Sequence, residues 1–355
     1  MNLFAMGIPH KFRLWTLICL VLLGATVTTA QSLREVFKRV NPSVVVVHTH
    51  EETNAKHALP NAAEETQIRQ GVGSGVLIST EGKVLTATHV INTADHIEVE
   101  FINGERVAAS VIAAAPAADL AMLQLARVPA TASVAQLGDS NLLEPGDQVF
   151  AVGAPYGAGH SLASGWISAR RSAENIIENL APLETWQVDV ALFQGNSGGP
   201  LFNLSGEVVG IVTHLLAKDN QATGPGFAVT SNTVRKLLLE EKQLWLGFEA
   251  WLIEDALAEA FNLPQSAGLL VQSVAVNSLG QRMGLREGKI SVVIENQPLL
   301  IGGDVLLEMC GVPVRPAYAS VREIRQRMQS LRSGDALNAK VWRGGQVQEL
   351  ATTIP

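Results

Sequence analysis

The sequence predicts a mainly β protein in which closed barrels precede a smaller α+β domain. Three observations support this fold class. Short apolar, β-branched segments recur through most of the chain, and glycine-containing turn signals separate them. Helical periodicity is scarce before Trp245, and short strands with glycine-marked corners favour closed barrels. Both helix and strand patterns follow Trp245, which indicates a second domain.

The elements of the first domain follow from local patterns. An amphipathic turn over residues 33–40 ends at Asn41-Pro42. Residues 51–70 are polar and alanine-rich without periodicity, so we expect a mobile loop there. Ser231 is predicted to cap a helix over residues 232–243. The predicted strands are residues 44–47, 75–78, 83–86, 97–101, 120–125, 148–152, 165–169, 187–190, 207–212 and 227–229.

The second domain mixes both kinds of element. Helices are predicted at residues 254–261 and 321–331, and strands at residues 269–273 and 305–309. Ser320 and Glu323 predict a capping box at the start of the last helix. A terminal hairpin is expected to turn at Gly344-Gly345.

The N-terminus has the pattern of an export signal. Lys11 and Arg13 precede an apolar run over residues 14–27, and small residues follow up to Ala30. This pattern predicts a cleaved secretory signal peptide over residues 1–30, and the run is shorter than the roughly 20 residues of a membrane helix. We expect a periplasmic or secreted protein, with an uncleaved anchor in the inner membrane as the alternative.

Charge and cysteine content narrow the class further. Cleavage would remove two basic residues and change the net charge from −7 to −9, which argues against nucleic acid or anionic membranes as the main partner. Cys19 lies in the predicted signal, so Cys310 would be alone in the mature chain. An exported chain without an intramolecular disulfide must depend on its hydrophobic core.

The candidate nucleophile is Ser197, in the motif Gly195-Asn196-Ser197-Gly198-Gly199-Pro200. Glycines permit positive φ and close backbone approach, so the amides of Gly195 and Ser197 can converge on one point. Residues 195–197, including Asn196, are therefore predicted to form an oxyanion hole. The alternative is a glycine-rich hairpin with a solvated serine.

Two further residues complete a catalytic constellation. His89 follows a predicted strand, and Asp119 begins an apolar run where an unpaired charge would be costly. The order His89, Asp119, Ser197 is typical of chymotrypsin-like proteins. Ser197 would attack a carbonyl, His89 would transfer the proton, and Asp119 would orient His89. Surface positions for the histidine and the aspartate are the alternatives, with Asp139 and Asp147 as other orienting candidates.

Other ligand sites are not expected. His48 and His50 alternate on a strand, but no carboxylate or cysteine pattern accompanies them, so no metal site is predicted. The glycine-rich residues 71–75 lack the G-x-G-x-x-G spacing and precede a strand, which excludes a nucleotide loop. No cofactor is predicted.

These segments resemble the HtrA (DegP/DegS-type) family of trypsin-like serine proteases with a C-terminal PDZ domain. The resemblance covers essentially the whole predicted mature chain and is weaker after residue 239. The matching motifs are Asn41-Pro42-Ser43-Val44-Val45, Gly73-Ser74-Gly75-Val76, Val84-Leu85-Thr86-Ala87-Thr88-His89-Val90, Ala118-Asp119-Leu120-Ala121, Gly153-Ala154-Pro155-Tyr156-Gly157, Ser164-Gly165, Gly195-Asn196-Ser197-Gly198-Gly199-Pro200 and Gly226-Phe227-Ala228-Val229.

The resemblance implies a chymotrypsin-like double six-stranded β-barrel with the triad between the barrels, and commonly a homotrimer. It also implies a specificity pocket lined by Phe227, Ala228, Val229 and residues just before Ser197. No acid stands at these positions, so we expect a preference for small or medium aliphatic side chains. The sequence Phe193-Gln194-Gly195 departs from the family's usual Asn-Pro-Gly, so the resting oxyanion loop is expected to differ.

The second domain resembles a PDZ domain. Leu246, Gly247 and Phe248 match the family's carboxylate-binding loop and the start of its groove strand. Residues 284–288 match a corner of that fold, residues 289–302 read as an insertion, and residues 321–331 would flank the groove. The predicted domains are therefore a protease over residues 31–240 and a PDZ-like domain over residues 241–355. A degenerate domain acting as a rigid cap is the alternative.

The expected function is that of an exported, ATP-independent serine endopeptidase of envelope quality control. Its partners would be unfolded or misfolded polypeptides, and C-terminal peptides at the PDZ-like domain. Two alternatives stay open: a holdase chaperone or pseudoprotease, and an anchored stress sensor that cuts one specific substrate.

Overall fold

The computed structural model describes residues 32–54, 66–91, 94–157, 159–172, 183–213, 225–241, 243–294 and 296–355. The predicted signal peptide lies outside these residues. Part of the predicted loop over residues 51–70 is strand, because one strand continues to Asn54 and the next begins at Thr66. Residues 55–65 lie outside the described part.

The first six strands form a closed barrel in the order β1-β2-β3-β6-β5-β4. A helix, α1 (Leu33–Val40), precedes them, and a short helix, α2 (Thr88–Ile91), follows β3. The sequence did not predict β5, because its alanine-rich composition has little strand propensity. The strands are β1 (Val44–Asn54), β2 (Thr66–Leu77), β3 (Lys83–Thr86), β4 (His96–Glu100), β5 (Arg106–Ala115) and β6 (Leu120–Leu125).

The next six strands form a second closed barrel in the order β10-β11-β12-β9-β8-β7. Strand β10 was also missed, because it has only four residues and follows directly on the glycines after Ser197. The strands are β7 (Gln148–Gly153), β8 (Ser161–Ser172), β9 (Glu184–Val188), β10 (Pro200–Asn203), β11 (Val208–Thr213) and β12 (Gly226–Thr230).

A shared apolar core joins the two barrels. The alternation of β1 places Val45 in the interior of the first barrel, while Val44 faces the second barrel. Phe150 and Phe202 stack in this shared core with ring centroids 5.4 Å apart. Burial of apolar area on both faces of these strands holds the barrels together and fixes the cleft between them.

The helix that follows the second barrel, called the closing helix, differs from its prediction. Helix α3 (Ser231–Val234) continues as a π-helical segment over Arg235–Glu240. Thr230, and not Ser231, is the N-cap, since its side chain accepts from the Thr233 amide. The Ser231 hydroxyl instead donates to the Gly138 carbonyl at 2.8 Å, which ties the helix to the second barrel.

The remaining strands build a separate sheet in the order β13-β14-β17-β19-β20, with β18 paired to β17. The predicted hairpin at Gly344-Gly345 joins β19 to β20. The elements are β13 (Phe248–Glu254), α4 (Asp255–Ala260), β14 (Ala267–Val274), α5 (Leu279–Met283), β17 (Val305–Met309), β18 (Val312–Pro313), α6 (Val321–Ser330), β19 (Ala336–Arg343) and β20 (Gln346–Thr353).

The predicted insertion forms a hairpin of β15 (Ile290–Ile294) and β16 (Gln297–Ile301). The Gln272 side chain anchors it, donating to the Leu300 carbonyl at 3.1 Å and accepting from the Leu300 amide at 2.8 Å. Val271, the neighbour of Gln272, points to the opposite face and packs in the cluster that includes residues of α6. The hairpin is therefore anchored on the sheet face opposite α6.

The capping box predicted for α6 is wrong. Ser320 has helical backbone angles and makes no side-chain cap bond. Its hydroxyl accepts from the Arg315 amide at 3.1 Å, while Glu323 pairs with the Arg315 guanidinium at 3.4 Å. Both side chains therefore bond to the turn before the helix and do not cap it.

The sheet domain contacts the first barrel and the closing helix. Trp245 packs against the core of the first barrel, and the Val276 amide donates to Asp95 Oδ1 at 3.2 Å. Glu241, just past the π-helical segment, accepts from Arg325 at 2.7 Å and from Gln329 at 3.1 Å on α6. Within the described residues, no helix is long and apolar enough to span a membrane.

Candidate active site

His89 is held by the short helix α2 at the end of β3. The Thr88 hydroxyl donates to the Leu120 carbonyl at 2.7 Å, and the Thr88 amide donates to the Asp119 carbonyl at 3.2 Å. These bonds attach α2 to the start of β6. They set the main chain of His89 beside Asp119, which lies 30 residues later in the sequence.

The Asp119 carboxylate accepts three hydrogen bonds. It accepts from His89 Nδ1 at 2.7 Å, from the His89 amide at 3.0 Å and from the Thr213 hydroxyl at 2.7 Å. Burial acts to raise the pKa of Asp119, but the hydrogen bonds and charge of His89 and the bond from Thr213 outweigh it. The pKa consequently lies below its usual value. The carboxylate stays ionised and fixes the imidazole with Nδ1 inward.

Thr213 was not anticipated from the sequence. It ends β11, which is buried throughout, and a hydroxyl closing such an apolar strand was the only available signal. Asp139 and Asp147, the other orienting candidates, accept instead from the local amides of Asn141 and Glu144.

Ser197 lies at the cleft between the barrels. Its carbonyl accepts from the Ser74 amide at 2.8 Å, and the next residue, Gly198, donates to the Val212 carbonyl at 2.9 Å. A Cβ on Gly198 would lie 2.3 Å from Thr86 Oγ1 and 2.7 Å from the Ala87 amide. The serine turn thus packs against the residues that lead into α2.

The segment before Ser197 forms a tight turn. The Asn196 amide donates to the Phe193 carbonyl at 3.0 Å, and Gly195 has a φ of 100°. A positive φ at the third position is the mark of a type II turn and favours glycine. Because its amide closes this turn, Asn196 is not an oxyanion donor, and that prediction is wrong. Within the described residues, the Gly195 amide has no protein acceptor.

The predicted specificity pocket needs a second correction. Ala228 and Val229 are fully buried in the barrel cores, so neither lines an open pocket, whereas Phe227 is half-buried. At the start of the same strand, a Cβ on Gly226 would lie 2.6 Å from Leu192 Cδ1. The Leu192 side chain therefore lies directly against Gly226, a contact that the sequence did not reveal.

The Leu246-Gly247-Phe248 loop is shaped by close packing against α5. The Leu246 carbonyl accepts from the Gly280 amide at 2.8 Å, and a Cβ on Gly247 would lie 2.2 Å from Ser278 Cβ. Phe248 begins β13, the end strand of its sheet, and packs in the same cluster as Ile324 and Met328 of α6. In the described structure β13 is thus an end strand whose first residue packs with side chains of α6.

His48 has a structural partner. Its Nε2 lies 2.9 Å from Glu100 Oε2, and the same carboxylate accepts from Arg106 Nε at 2.8 Å. Across the described ranges, no group of three His, Cys, Asp or Glu side chains is arranged to hold a metal ion.

Comparison with known proteins gives consistent relationships. A family model described as a trypsin-like peptidase domain matches residues 73–211. The periplasmic pH-dependent serine endoprotease DegQ of Escherichia coli (strain K12) is 31% identical over 91% of this chain and 70% of its own length. A probable periplasmic serine endoprotease, DegP-like, of Marinomonas sp. (strain MWYL1) is 29% identical over 96% of this chain and 76% of its own length.

Solved structures agree with these relatives. The HtrA-type protease AlgW with a decapeptide is 27% identical, with a TM-score of 0.50 and coverage of 91% of this chain and 98% of its own. The chain spans between 50% and 76% of the lengths of the curated relatives it matches.

Proposed function

Because the chain belongs to the HtrA family of trypsin-like serine proteases, we propose that it is an exported, ATP-independent endopeptidase that cuts unfolded or misfolded envelope polypeptides. The observation that carries this proposal is the His89–Asp119 pair, fixed at the cleft where the Ser197 turn meets α2. The two relatives are named as periplasmic serine endoproteases, which supports the periplasm as the location.

The reaction begins with attack of Ser197 Oγ on the substrate carbonyl carbon. As the C–O bond forms, the hydroxyl proton passes to His89 Nε2, because Nδ1 is engaged by Asp119. The lowered pKa of Asp119 keeps the carboxylate ionised, so it stabilises the imidazolium without taking the proton. His89 then returns the proton to the leaving amine, and water repeats the sequence to release the acyl group.

The tetrahedral intermediate needs donors for its oxyanion. We assign this role to the main-chain amides of Gly195 and Ser197. The positive φ of Gly195 supports the assignment, since the type II turn leaves its amide outside the turn's own hydrogen bond. Such preorganised donors act where charge develops and contribute about 10²–10³ in kcat each.

Substrate preference follows from Leu192 and Gly226. The leucine packs over the glycine, with Val188 also within contact distance of that position, so the pocket is apolar and shallow. Small or medium aliphatic side chains fit such a site, whereas a basic side chain would find no buried acid among the residues that the structure describes there.

The C-terminal sheet supports a second, non-catalytic role. We propose that it is a PDZ-like domain that binds an extended C-terminal peptide by strand addition to β13, with the carboxylate at Leu246, Gly247 and Phe248. No residue of α6 is fully buried, which is consistent with an open groove. The homotrimer implied by the family resemblance is part of the proposal, and sedimentation of the intact protein measures it.

The decisive experiment is digestion of an unfolded protein by wild type and by Ser197→Ala. We expect cleavage only by wild type. A holdase would suppress aggregation equally in both proteins and cut in neither, and a dedicated sensor would leave unfolded chains intact while cutting its one substrate.

A quantitative version uses a short peptide substrate. Replacing Ser197 or His89 should each lower kcat by roughly 10⁴–10⁶, and the double variant should be little worse, because the two residues act as one unit. Clearly additive losses, or cutting near the wild-type rate, would show that another serine does the chemistry.

A further inference from the structure

Ser74 lies at the meeting point of three segments that the chemistry depends on. It is fully buried in β2 of the first barrel. On one side it faces the turn that carries Gly195, and on the other it faces the end of β7 at Ala154. Its own carbonyl accepts from the Thr86 hydroxyl at 2.8 Å, which ties it to β3, three residues before His89.

The Ser74 hydroxyl bridges the two other segments. Its proton is donated to the Gly195 carbonyl at 2.6 Å, and its oxygen accepts from the Ala154 amide at 3.0 Å. A serine hydroxyl offers one proton and two lone pairs, so both bonds form without conflict. The Ser74 amide also donates to the Ser197 carbonyl at 2.8 Å. One residue thus holds the carbonyls of both residues whose amides we assign to the oxyanion.

Holding a carbonyl limits the direction of the amide in the same residue. The angle between the N–H and the C=O of Gly195 is set by its φ and ψ. A glycine can adopt many values of these two angles, because it has no side chain to restrict them. With its φ at 100°, a fixed carbonyl restricts where its amide points. The bond from Ser74 supplies that restriction from outside the turn.

The surroundings of Ser74 are tightly packed. A Cβ on Gly153 would lie 2.9 Å from Ser74 Oγ, and a Cβ on Gly199 would lie 3.0 Å from Ser74 Cβ. Side chains with more heavy atoms than serine would displace the main chain here. The site therefore combines a small volume with a hydroxyl that must both donate and accept.

We propose that Ser74 is a positioning residue for catalysis, which holds the oxyanion turn in its competent shape from the first barrel. The inference rests on the proposed function, because it concerns the same oxyanion donors. Ser74 does not touch the substrate; it acts through Gly195 and Ser197.

The test compares Ser74→Ala with Ser43→Ala. Ser43 is a matched control, since it is a buried serine directly before β1 whose hydroxyl donates to the Val40 carbonyl at 2.6 Å, away from the turn. We expect Ser74→Ala to lower kcat on a short peptide by about 10–100-fold, as misplacement of a catalytic group does, with KM changed less than about twofold. Ser43→Ala should keep the wild-type kcat at temperatures where both variants are folded.

A second readout separates positioning from general loosening. A peptide boronic acid forms a tetrahedral adduct with the nucleophilic serine, so its affinity should fall by the same factor as kcat/KM. Product peptides that lack the tetrahedral centre should bind as they do to wild type. Equal kcat in the two variants, or equal weakening of boronic acid and product peptides, would overturn the inference.

A third variant covers a failure to fold. Ser74→Cys nearly preserves the volume but replaces the hydroxyl with a weak donor and weak acceptor. A folded Ser74→Cys protein should also lose kcat at unchanged KM, and a wild-type kcat would contradict the proposal. Failure of the proposed function looks different, because wild type would then leave unfolded protein intact or Ser197→Ala would still cut it.

Discussion

At the scale of single residues, Asp119 is the group whose surroundings define its role most clearly. Its three hydrogen bonds restrict the orientation of the carboxylate, and two of them come from His89. Asp119→Asn should fold yet lose about 10⁴ in kcat, because the amide that replaces one oxygen would favour the wrong histidine tautomer. Peptide hydrolysis measures the loss, and activity at a tenth of wild type would place the orienting group elsewhere.

A second residue, His160, makes stability depend on pH. Burial lowers the pKa of His160, more than its bond to Asn41 and the charge of Glu100 raise it. A histidine with a depressed pKa takes up its proton more readily when unfolded. Its contribution is therefore complete above the unfolded pKa of about 6.5 and is lost as the pH falls below that value.

His160→Gln should consequently flatten the pH dependence of stability. The free energy of unfolding in urea, measured at several pH values between about 7.5 and 5.5, should fall less in this variant than in wild type. His96→Gln, which replaces an exposed histidine of β4, is the control. A variant whose curve parallels wild type would show that another group titrates.

The site residues that could be predicted from the sequence differ in their local context from those that could not. His89, Asp119 and Ser197 stand in local motifs with glycines, turns or strand ends that give each a recognisable context. Thr213 and Ser74 are hydroxyl residues inside apolar or glycine-rich strands. Their partners are 94 and 121 residues away in the chain, so no local pattern could indicate the bonds.

At the scale of elements, apolar strands such as β6 were predicted from the sequence, whereas the alanine-rich β5 was not. Strands β3 and β6 were predicted with the bounds that the structure gives them. The alanine-rich β5 forms because its neighbours β4 and β6 complete the barrel, a tertiary effect that overrides its weak propensity. The capping box of α6 failed for a different, local reason, since Ser320 and Glu323 bond to Arg315 in the turn directly before the helix.

One long-range pair fixes two elements of the C-terminal sheet. Asp304, which precedes β17, is completely buried and binds Arg343 of β19 through two bonds of 2.6 and 2.7 Å. Arg343→Met should destabilise the domain by about 3–5 kcal/mol, because it leaves a buried carboxylate without its cation. Urea unfolding followed by tryptophan fluorescence is the measurement.

The control for that prediction is Arg327→Met. Arg327 is exposed on α6 and, among the described residues, forms one ion pair, with the partly exposed Glu323 at 4.0 Å, so its loss should cost less than about 1 kcal/mol. Equal destabilisation by the two changes would mean that the buried pair contributes no more than a surface one.

At the scale of the whole molecule, the contacts between domains indicate a docked and not a loosely tethered sheet domain. Trp245 packs on the first barrel, and Asp95 binds the Val276 amide across the junction. Glu241 connects the end of the closing helix to Arg325 and Gln329, and both belong to the helix that flanks the groove. A ligand that shifts α6 would therefore act on the segment that closes the protease.

This connection predicts that the groove controls the active site. Peptides that end in an apolar residue with a free carboxylate should bind beside Phe248 and raise kcat/KM. A coupling free energy of about 1–3 kcal/mol corresponds to activation of roughly 5–150-fold. Titration of such peptides against hydrolysis of a short chromogenic substrate measures it, and the same peptides with an amidated C-terminus are the control.

The Glu241 contacts provide a variant that tests this prediction directly. In Glu241→Gln the charge that Arg325 faces is lost, so the peptide should still bind while its effect on the rate diminishes. A ligand shifts the equilibrium between two conformations only when it binds one of them more tightly than the other. Because Glu241 connects α6 to the protease, weakening its bonds should separate peptide binding from the change in rate. Calorimetry for binding and the peptide titration for rate separate the two effects. If saturating peptide leaves the wild-type rate unchanged and calorimetry detects no binding, the C-terminal domain is a rigid cap.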